Sequence, residues 1–326
     1  MEENSNKGKK YLWIIAIAGA AVLAVSFYLI FFQRAQKSAE PERLVIPLKS
    51  EEPVASLLKS KGFIKNTFAF NLASSVRGKP EPGGYKISKS QSAWQIAGAL
   101  SREPYMKWVV IPEGLRKEEI AELMAEALGW SDEEKEKWIN EYTAERPDYT
   151  EGVYFPDTYL ISVDDDPKEV AKRLITRFEE KFAPYAKEAT AENIRWTTLV
   201  RLASIVQREA NGKEDMPLVA GILWNRLLKD MRLEVDATLQ YARGDKGEGY
   251  WAPISPEDKK LDSPYNTYLT KGLPPHPISN PGIAAIEASL RPASTSCLYY
   301  LHDDSGDIYC SDTFEGHKQN IEKYLR

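Results

Sequence analysis

The stretch TTLVRLASIVQREANG, residues 197–212, carries the clearest secondary-structure signal in the chain. Apolar residues recur in it every three or four positions, which is the period of one face of an α-helix. They are Leu199, Leu202, Ala203, Ile205 and Val206, while Arg201, Ser204 and Arg208 fall on the opposite face. Asn211 and Gly212 are typical of a helix end. The stretch therefore predicts a helix with one buried face, within a mainly helical part of the chain.

Glu209 is the residue of this stretch best suited to chemistry. It follows Val206 by three residues and Ile205 by four, so its carboxyl extends the apolar face in the last turn of the helix. Burial and the negative end of the helix dipole both disfavour the carboxylate, so we expect the pKa of Glu209 to lie above its ordinary value. A carboxyl that keeps its proton near neutral pH can act as a general acid. The alternative is a structural glutamate at the edge of the core, paired with Arg208 or Arg226.

Segments on both sides of this helix are rich in aromatic, amide and carboxyl side chains. They include EGVYFPDTY (151–159), LEVDATLQY (233–241) and SPYNTY (263–268). Aromatic rings stack on the C–H faces of sugars while polar side chains bind hydroxyls, so the pattern favours a long saccharide groove. The alternative is ordinary turn chemistry, since proline, glycine and asparagine are common in loops. The candidate substrate-binding residues are Glu151, Asp157, Asn225, Asp236, Gln240, Tyr265, Asn266 and Tyr268.

Near the N-terminus, residues 11–32 (YLWIIAIAGAAVLAVSFYLIFF) contain no charged side chain. At about 1.5 Å per residue, a helix of this length crosses the roughly 30 Å hydrocarbon core of a bilayer. We therefore expect a retained single-pass transmembrane helix. A buried core helix and a cleaved signal peptide are the alternatives, but the run ends without a small-residue cleavage site. Lysines before the run weakly favour a cytoplasmic tail at residues 1–10, with the rest of the chain outside the cytoplasm.

The remaining chain divides into three predicted parts. Residues 33–43 (QRAQKSAEPER) are expected to form a polar linker. Residues 44–104 alternate short strand-like and helical patterns, which predicts an α/β subdomain too small for much of a core of its own. Residues 105–326 are predicted to be mainly helical with a small sheet. The predicted fold class is therefore α+β.

Composition limits the functions that the chain can have. Its 326 residues include 43 basic and 48 acidic side chains, which argues against nucleic-acid binding because phosphate contacts need an excess of lysine and arginine. The three histidines lie far apart and no zinc motif occurs, so we expect no metal site and no cofactor. Cys297 and Cys310 flank a short predicted hairpin. Whether they are bridged or free depends on a strand register that the sequence leaves open.

Several motifs, in one order, resemble the MltG/YceG-like endolytic murein transglycosylases. They are EGVYFPDTY (151–159), ASIVQRE (203–209), NRL (225–227), LEVDATLQYA (233–242), SPYNTYLTKGLPP (263–275) and NPGIAAIEASLRP (280–292), followed by LYYL and EGHKQNI. The resemblance covers roughly residues 44–326 and is strongest from residue 151 onward. It implies a membrane-anchored enzyme that cuts nascent peptidoglycan strands internally. It also implies that residues 44–104 are similar to a LysM-type wall-binding subdomain, followed by the catalytic domain at 105–326.

The resemblance gives the catalytic role to Glu209, which matches the glutamate of the family's ASIVEKE motif. In the implied reaction Glu209 protonates the oxygen that links MurNAc to GlcNAc. The C6 hydroxyl of MurNAc then attacks C1 and gives its proton to Glu209, which leaves a 1,6-anhydro end. No second carboxylate is needed, in contrast to ordinary glycosidases. Two positions depart from the family pattern: Gln207 stands where many relatives have an acid, and His276 where they usually have glycine.

The implied setting is the inner cell membrane, with the catalytic domain on the periplasmic or extracytoplasmic side. Peptidoglycan strands are the implied substrate, and peptidoglycan synthases are candidate partners. Two other functions stay open. A muramidase would use water and a second carboxylate, Asp236 or Glu151, and would leave reducing ends. A non-catalytic wall-binding scaffold would leave the glycan length unchanged.

Overall fold

The structure is a computed structural model that describes residues 2–145, 148 and 150–325, apart from the side chains of residues 2–12, 29 and 30. Helices and two small sheets make up the fold, which confirms the predicted α+β class. The chain divides into two compact units, Met1–Trp108 with Leu160–Asp164 and Val109–Tyr159 with Asp165–Arg326. The predicted limits of the linker and the two subdomains stay predictions.

The first unit has an apolar core of its own, although the sequence predicts little of one. Its elements are α1 (Glu2–Phe32), β1 (Glu42–Ile46), α2 (Val54–Ser60), α3 (Thr67–Arg77), β2 (Gly83–Ile87) and α4 (Ala93–Leu100). Strands β1 and β2 pair antiparallel, with Leu44 opposite Tyr85. Both side chains are buried in one cluster with residues of α2, α3 and α4, and Phe31 near the end of α1 belongs to the same cluster. Three short helices therefore suffice to cover one face of a two-stranded pair.

Helix α1 covers the predicted transmembrane span at residues 11–32. The side chains of residues 11, 12, 29 and 30 lie outside the described residues, so part of that prediction falls outside the description as well. Among the residues that the structure describes, no helix is long and apolar enough to cross a membrane.

Strands β3 (Met106–Val110) and β4 (Thr158–Ser162) follow β1 and β2 in a four-stranded sheet of order β1-β2-β3-β4. The chain passes from one unit to the other within each of these two strands. The helices of the second unit are α5 (Lys117–Leu128), α6 (Asp132–Lys137), α7 (Pro167–Ala191), α8 (Trp196–Glu209), α9 (Met216–Leu228), α10 (Asp236–Arg243), α11 (Ile283–Leu290) and α12 (Phe314–Tyr324). A π-helical turn at Trp138–Tyr142, a 3₁₀ turn at Asp258–Lys260 and strands β5 (Tyr299–His302) and β6 (Ile308–Ser311) complete it.

Helix α8 is the predicted helix of residues 197–212, and it packs against α7, α9 and α11. All five apolar residues of the predicted stripe are buried, which confirms the helix and its inner face. Ser204 is also buried, so its predicted place on the opposite face is wrong. Its hydroxyl donates to the carbonyl of Arg201 at 2.7 Å and accepts from the backbone N–H of Ile278 at 3.0 Å. These bonds satisfy the hydroxyl, so burying it leaves no polar group unpaired.

The C-terminal hairpin settles the state of the two cysteines. Strands β5 and β6 pair antiparallel, with Tyr300 opposite Cys310. Cys297 lies just before β5 and forms a disulfide with Cys310, with the Cα atoms 5.8 Å apart. The bridge closes the open end of the hairpin that carries Tyr300.

Candidate active site

Glu209 lies at the C-terminal end of α8 and lines a cavity of about 680 Å³. The Tyr300 hydroxyl on β5 donates to Oε2 of Glu209 at 2.6 Å. The backbone N–H of Ala237, in the first turn of α10, also donates to this carboxyl. Three separate elements therefore meet at one half-buried carboxyl group.

The pKa of Glu209 is raised, as the sequence predicts. Burial is the main cause, and the charge of nearby Asp236 acts in the same direction. The hydrogen bonds from Tyr300 and Ala237 and the proximity of His302 act in the opposite direction, but they do not cancel the effect of burial. A carboxyl in these surroundings can hold a proton at higher pH than an exposed glutamate and still has donors ready to stabilise its anion.

The alternative interpretation of Glu209, as a structural partner of an arginine, does not match the contacts. Among the described residues, neither Arg208 nor Arg226 forms an ion pair with it. The Arg208 guanidinium lies 3.8 Å from the centre of the Trp251 ring. Arg226 is buried and pairs instead with Glu234 at 3.2 Å.

Three other candidate residues line the same cavity: Asp236, Gln240 and Tyr268. Asp236 begins α10 and is exposed, and the Tyr268 hydroxyl donates to its Oδ1 at 2.5 Å. The Gln240 amide donates to the carbonyl oxygen of Trp251 at 2.9 Å, which holds the loop after α10. The structure thus brings Glu209 together with these three residues, two of them on α10 and one in the 263–268 segment.

Glu151 does not line this cavity. It is buried, and its carboxyl accepts from the Asn280 amide at 2.6 Å and from the backbone N–H of Lys117 at 3.1 Å. Burial, with the negative charge of Glu118, raises the pKa of Glu151 to about 8. These bonds connect the 151–159 segment to the start of α5 and to the 280–292 segment.

Asp157 and Tyr265 also lie away from the cavity lining. Asp157 accepts from Arg177 at 2.7 Å and from the N–H of Thr158 at 2.8 Å. Burial on its own would raise the pKa of Asp157, but these hydrogen bonds outweigh it and lower that pKa. The Tyr265 ring lies 4.9 Å from the ring of Tyr241, and burial raises the pKa of Tyr265 to about 12. Their predicted role in substrate binding stays a prediction.

The two candidate asparagines make backbone contacts. The Asn225 amide donates to the carbonyls of Thr295 and Cys297 at 2.7 and 3.1 Å, which fixes the segment before β5. The Asn266 amide is fully buried and donates to the carbonyl of Leu261 at 2.8 Å. Neither side chain is among those that line the cavity around Glu209.

The loop after Glu209 is held by a pair that the sequence analysis missed. Asp215 accepts from the N–H groups of Asn211 and Gly212, each at 2.9 Å, and from His302 of β5 at 2.7 Å. Burial opposes these bonds, yet together they lower the pKa of Asp215. Tyr300 and His302 are two residues apart on β5 and therefore lie on the same face, so one strand holds both Glu209 and the loop that follows it. Glu209 and Tyr300 are distant in sequence, and so are Asp215 and His302, so no local motif indicates either pair.

The two departures from the family pattern have simple structural settings. Gln207 accepts from the backbone N–H of Gly282 at 3.0 Å, so it supports the loop before α11. Outside glycine, the described residues with positive φ are Asn193, Asp230 and Glu234. His276 is not among them, so its backbone does not adopt the left-handed conformation that favours glycine.

A larger cavity, of about 780 Å³, lies beside Phe178, Phe182 and Trp196. None of the candidate residues lines it. In the described part of the chain, no three His, Cys, Asp or Glu side chains are grouped so that they could hold a metal ion.

The YceG-like family model matches residues 45–323. An endolytic murein transglycosylase of Bacillus subtilis (strain 168) is 29% identical over 300 residues, which cover 85% of this chain and 82% of the relative. An endolytic murein transglycosylase of Streptococcus pneumoniae (strain D39) is 26% identical over 310 residues, and the match spans 56% of that protein's length. The 2.6 Å crystal structure of a yceG-like protein from Listeria monocytogenes has 27% identity and a TM-score of 0.63, over 86% of this chain and 98% of that one.

Proposed function

Because this chain belongs to the YceG-like family, we propose that it is an endolytic murein transglycosylase. It cleaves the bond between MurNAc and GlcNAc inside peptidoglycan strands and leaves 1,6-anhydro-MurNAc ends. Glu209 acts first as general acid and then as base. The two relatives that carry the name of this activity support the reaction class.

The observation that carries the proposal is the setting of Glu209. Its carboxyl is at the edge of an open cavity large enough for sugar rings, and burial raises its pKa. Tyr300 donates to Oε2, so we assign the transferable proton to Oε1. A general acid with a raised pKa and a fixed orientation is what cleavage of a glycosidic bond requires.

A single residue, Glu209, gives the proton and takes it back. Glu209 gives its proton to the glycosidic oxygen, and the bond from that oxygen to C1 of MurNAc breaks. The C6 hydroxyl attacks C1, and its proton passes to the Glu209 carboxylate. Tyr300 and the N–H of Ala237 stabilise the anion between the two transfers. No water enters, and the enzyme returns to its starting protonation state.

A muramidase reaction is the second candidate, because Asp236 lines the same cavity and is exposed. An exposed carboxylate opposite a general acid can activate water in an inverting glycosidase. In the proposed reaction, Asp236 and its partner Tyr268 instead bind the substrate and stabilise the positive charge that develops on the sugar ring.

The cellular setting is part of the same proposal. Residues 11–32 anchor the protein in the cell membrane as a single span, and the catalytic domain acts on the extracytoplasmic side. Residues 44–104 bind the cell wall, and peptidoglycan synthases are the candidate partners that supply new strands. The apolar composition of residues 11–32 and the compact first unit support this arrangement.

The test is mass analysis of glycan strands treated with the purified full-length protein. We expect 1,6-anhydro ends within the strands, and a loss of about 10² to 10⁴ in rate for Glu209→Gln. Glu214→Gln is the matched control, because Glu214 is an exposed carboxylate in the loop just after α8. Reducing ends would favour the muramidase, and unchanged strands would favour a binding scaffold. A folded Glu209→Gln enzyme with near-normal activity would overturn the role of Glu209.

A further inference from the structure

One wall of the Glu209 cavity is aromatic and comes from the last part of the chain. Tyr299 on β5 and Phe314 and His317 on α12 line it. The Phe314 side chain is 58% exposed, although it is large and apolar. The ammonium of Lys318, an exposed side chain, lies 5.3 Å from the centre of this ring, and more than half of the Phe314 surface is still open to solvent.

The three rings form a defined surface. The Tyr299 and His317 rings are stacked, with centres 5.5 Å apart, and the Phe314 ring lies 5.8 Å from Tyr299 at an angle of 55°. The guanidinium of buried Arg226 lies 5.0 Å from the centre of the Tyr299 ring. Tyr299 is therefore held between a cation and two rings.

His317 adds a neutral ring to this surface. Burial and the nearby charge of Arg226 lower the pKa of His317, so the imidazole is neutral near pH 7. Its Nδ1 is buried and has no hydrogen-bond partner among the described residues, so a ligand in the cavity does not reach that nitrogen. His317 therefore contributes its ring, which is stacked with the ring of Tyr299.

We propose that Phe314, His317 and Tyr299 form a sugar-binding subsite next to the bond that is cleaved. A hexosamine ring of the glycan strand stacks its C–H face on Phe314, and the Tyr299 and His317 rings extend the same aromatic surface. The occupant is a sugar because the exposed aromatic surface lines the same cavity as Glu209, Asp236 and Gln240, whose polar groups can bind hydroxyls. The inference rests on the proposed function for the identity of the strand. None of the three residues belongs to the candidate set that the sequence analysis gave.

The test measures binding separately from cleavage. The probe is a peptide-free strand of alternating GlcNAc and MurNAc, bound to the full chain carrying Glu209→Gln so that the strand stays intact. We expect Phe314→Ala to weaken binding about tenfold, the loss expected for one aromatic stacking contact. Phe314→Trp keeps an aromatic face and should bind as tightly as the parent.

The matched control is Ile321→Ala. Ile321 is an apolar side chain on the same helix, 39% exposed, and does not line the cavity. We expect no change in binding from it. His317→Phe keeps an aromatic ring in the stack with Tyr299, and we expect it to bind the strand about as tightly as the parent. Thermal melts of each variant check that α12 stays folded.

The outcomes separate this inference from the proposed function. Unchanged binding by a folded Phe314→Ala chain, or an equal loss in Ile321→Ala, would overturn the subsite. If wild-type protein fails to cut strands but Phe314→Ala still weakens binding, the subsite stands and the proposed reaction falls. If wild-type protein cuts strands and binding does not depend on Phe314, the reaction stands and the subsite falls.

Discussion

Arg226→Met tests whether one buried arginine holds together the two walls of the cavity. The side chain of Arg226, on α9, is only 7% exposed. Its Nε donates to the carbonyl of Leu298 at 2.6 Å, just before the strand that carries Tyr300. Its Nη1 donates to the carbonyl of Leu233 at 2.8 Å, just before the helix that begins with Asp236. Methionine keeps most of the apolar length of the side chain and removes every donor.

The expected cost follows from what the substitution leaves behind. Leu233 and Leu298 are both buried, so their carbonyls lose their side-chain partner where water cannot easily replace it. Each unpaired buried group costs about 1 to 3 kcal/mol, so two of them cost about 2 to 6 kcal/mol of the free energy of unfolding. The free energy of unfolding falls linearly with urea concentration, and with a typical slope the urea concentration at the unfolding midpoint should fall by about 1 to 2 M.

The matched control is Arg291→Met. Arg291 has hydrogen bonds to Glu188 at 2.7 Å and Glu287 at 2.6 Å, but all of these groups are on the surface. Water can replace such bonds, so the urea midpoint should hardly change. Urea unfolding followed by circular dichroism compares the two variants with wild type. Equal midpoints for Arg226→Met and wild type would refute the reasoning, and so would equal losses in the two variants.

Three other predictions concern the carboxyl groups. Tyr300→Phe removes a hydrogen bond that favours the anion of Glu209, so the pKa of Glu209 should rise. The alkaline limb of the pH profile of kcat/KM should therefore move to higher pH, and an unmoved limb would contradict this. Asp236→Asn should slow strand cleavage less than Glu209→Gln and should leave 1,6-anhydro ends, as judged by mass analysis; a dead, folded Asp236→Asn beside an active Glu209→Gln would reverse the roles. Glu151 has a pKa raised from 4.5 to about 8, so the folded state holds its proton more tightly than the unfolded state does. The stability that this group contributes is therefore complete below about pH 4.5 and is lost as the pH rises towards about 8. Between these pH values, the urea midpoint of Glu151→Gln should fall less than that of wild type.

Local patterns were enough to predict the helix that presents Glu209. The apolar stripe of α8 and its end near Asn211 are visible in sequence because a helix brings residues three and four apart onto one face. Ser204 was misplaced for a physical reason as well. A serine hydroxyl can be buried at little cost when it bonds to backbone groups, and those partners are not visible in the local pattern.

The partners of Glu209 could not be predicted in the same way. Tyr300 is 91 residues away, and its contact depends on how the C-terminal hairpin packs against α8. Arg226 was a plausible partner from its charge, but its donors are used by backbone carbonyls instead. The cysteine pair shows the same limit, because Cys297 lies outside β5 and a strand register alone does not bring it opposite Cys310.

The separation of Glu209 and Tyr300 along the chain also has a consequence for biosynthesis. A ribosome adds Tyr300 91 residues after Glu209, so α8 is made before the strand that carries this hydroxyl. A nascent chain therefore carries the glutamate without the hydroxyl that orients it while these 91 residues are added. We expect an interrupted chain that ends before residue 299 to be inactive on glycan strands, and activity in such a fragment would contradict this. The order of synthesis would then delay activity until the strand that carries Tyr300 has been added.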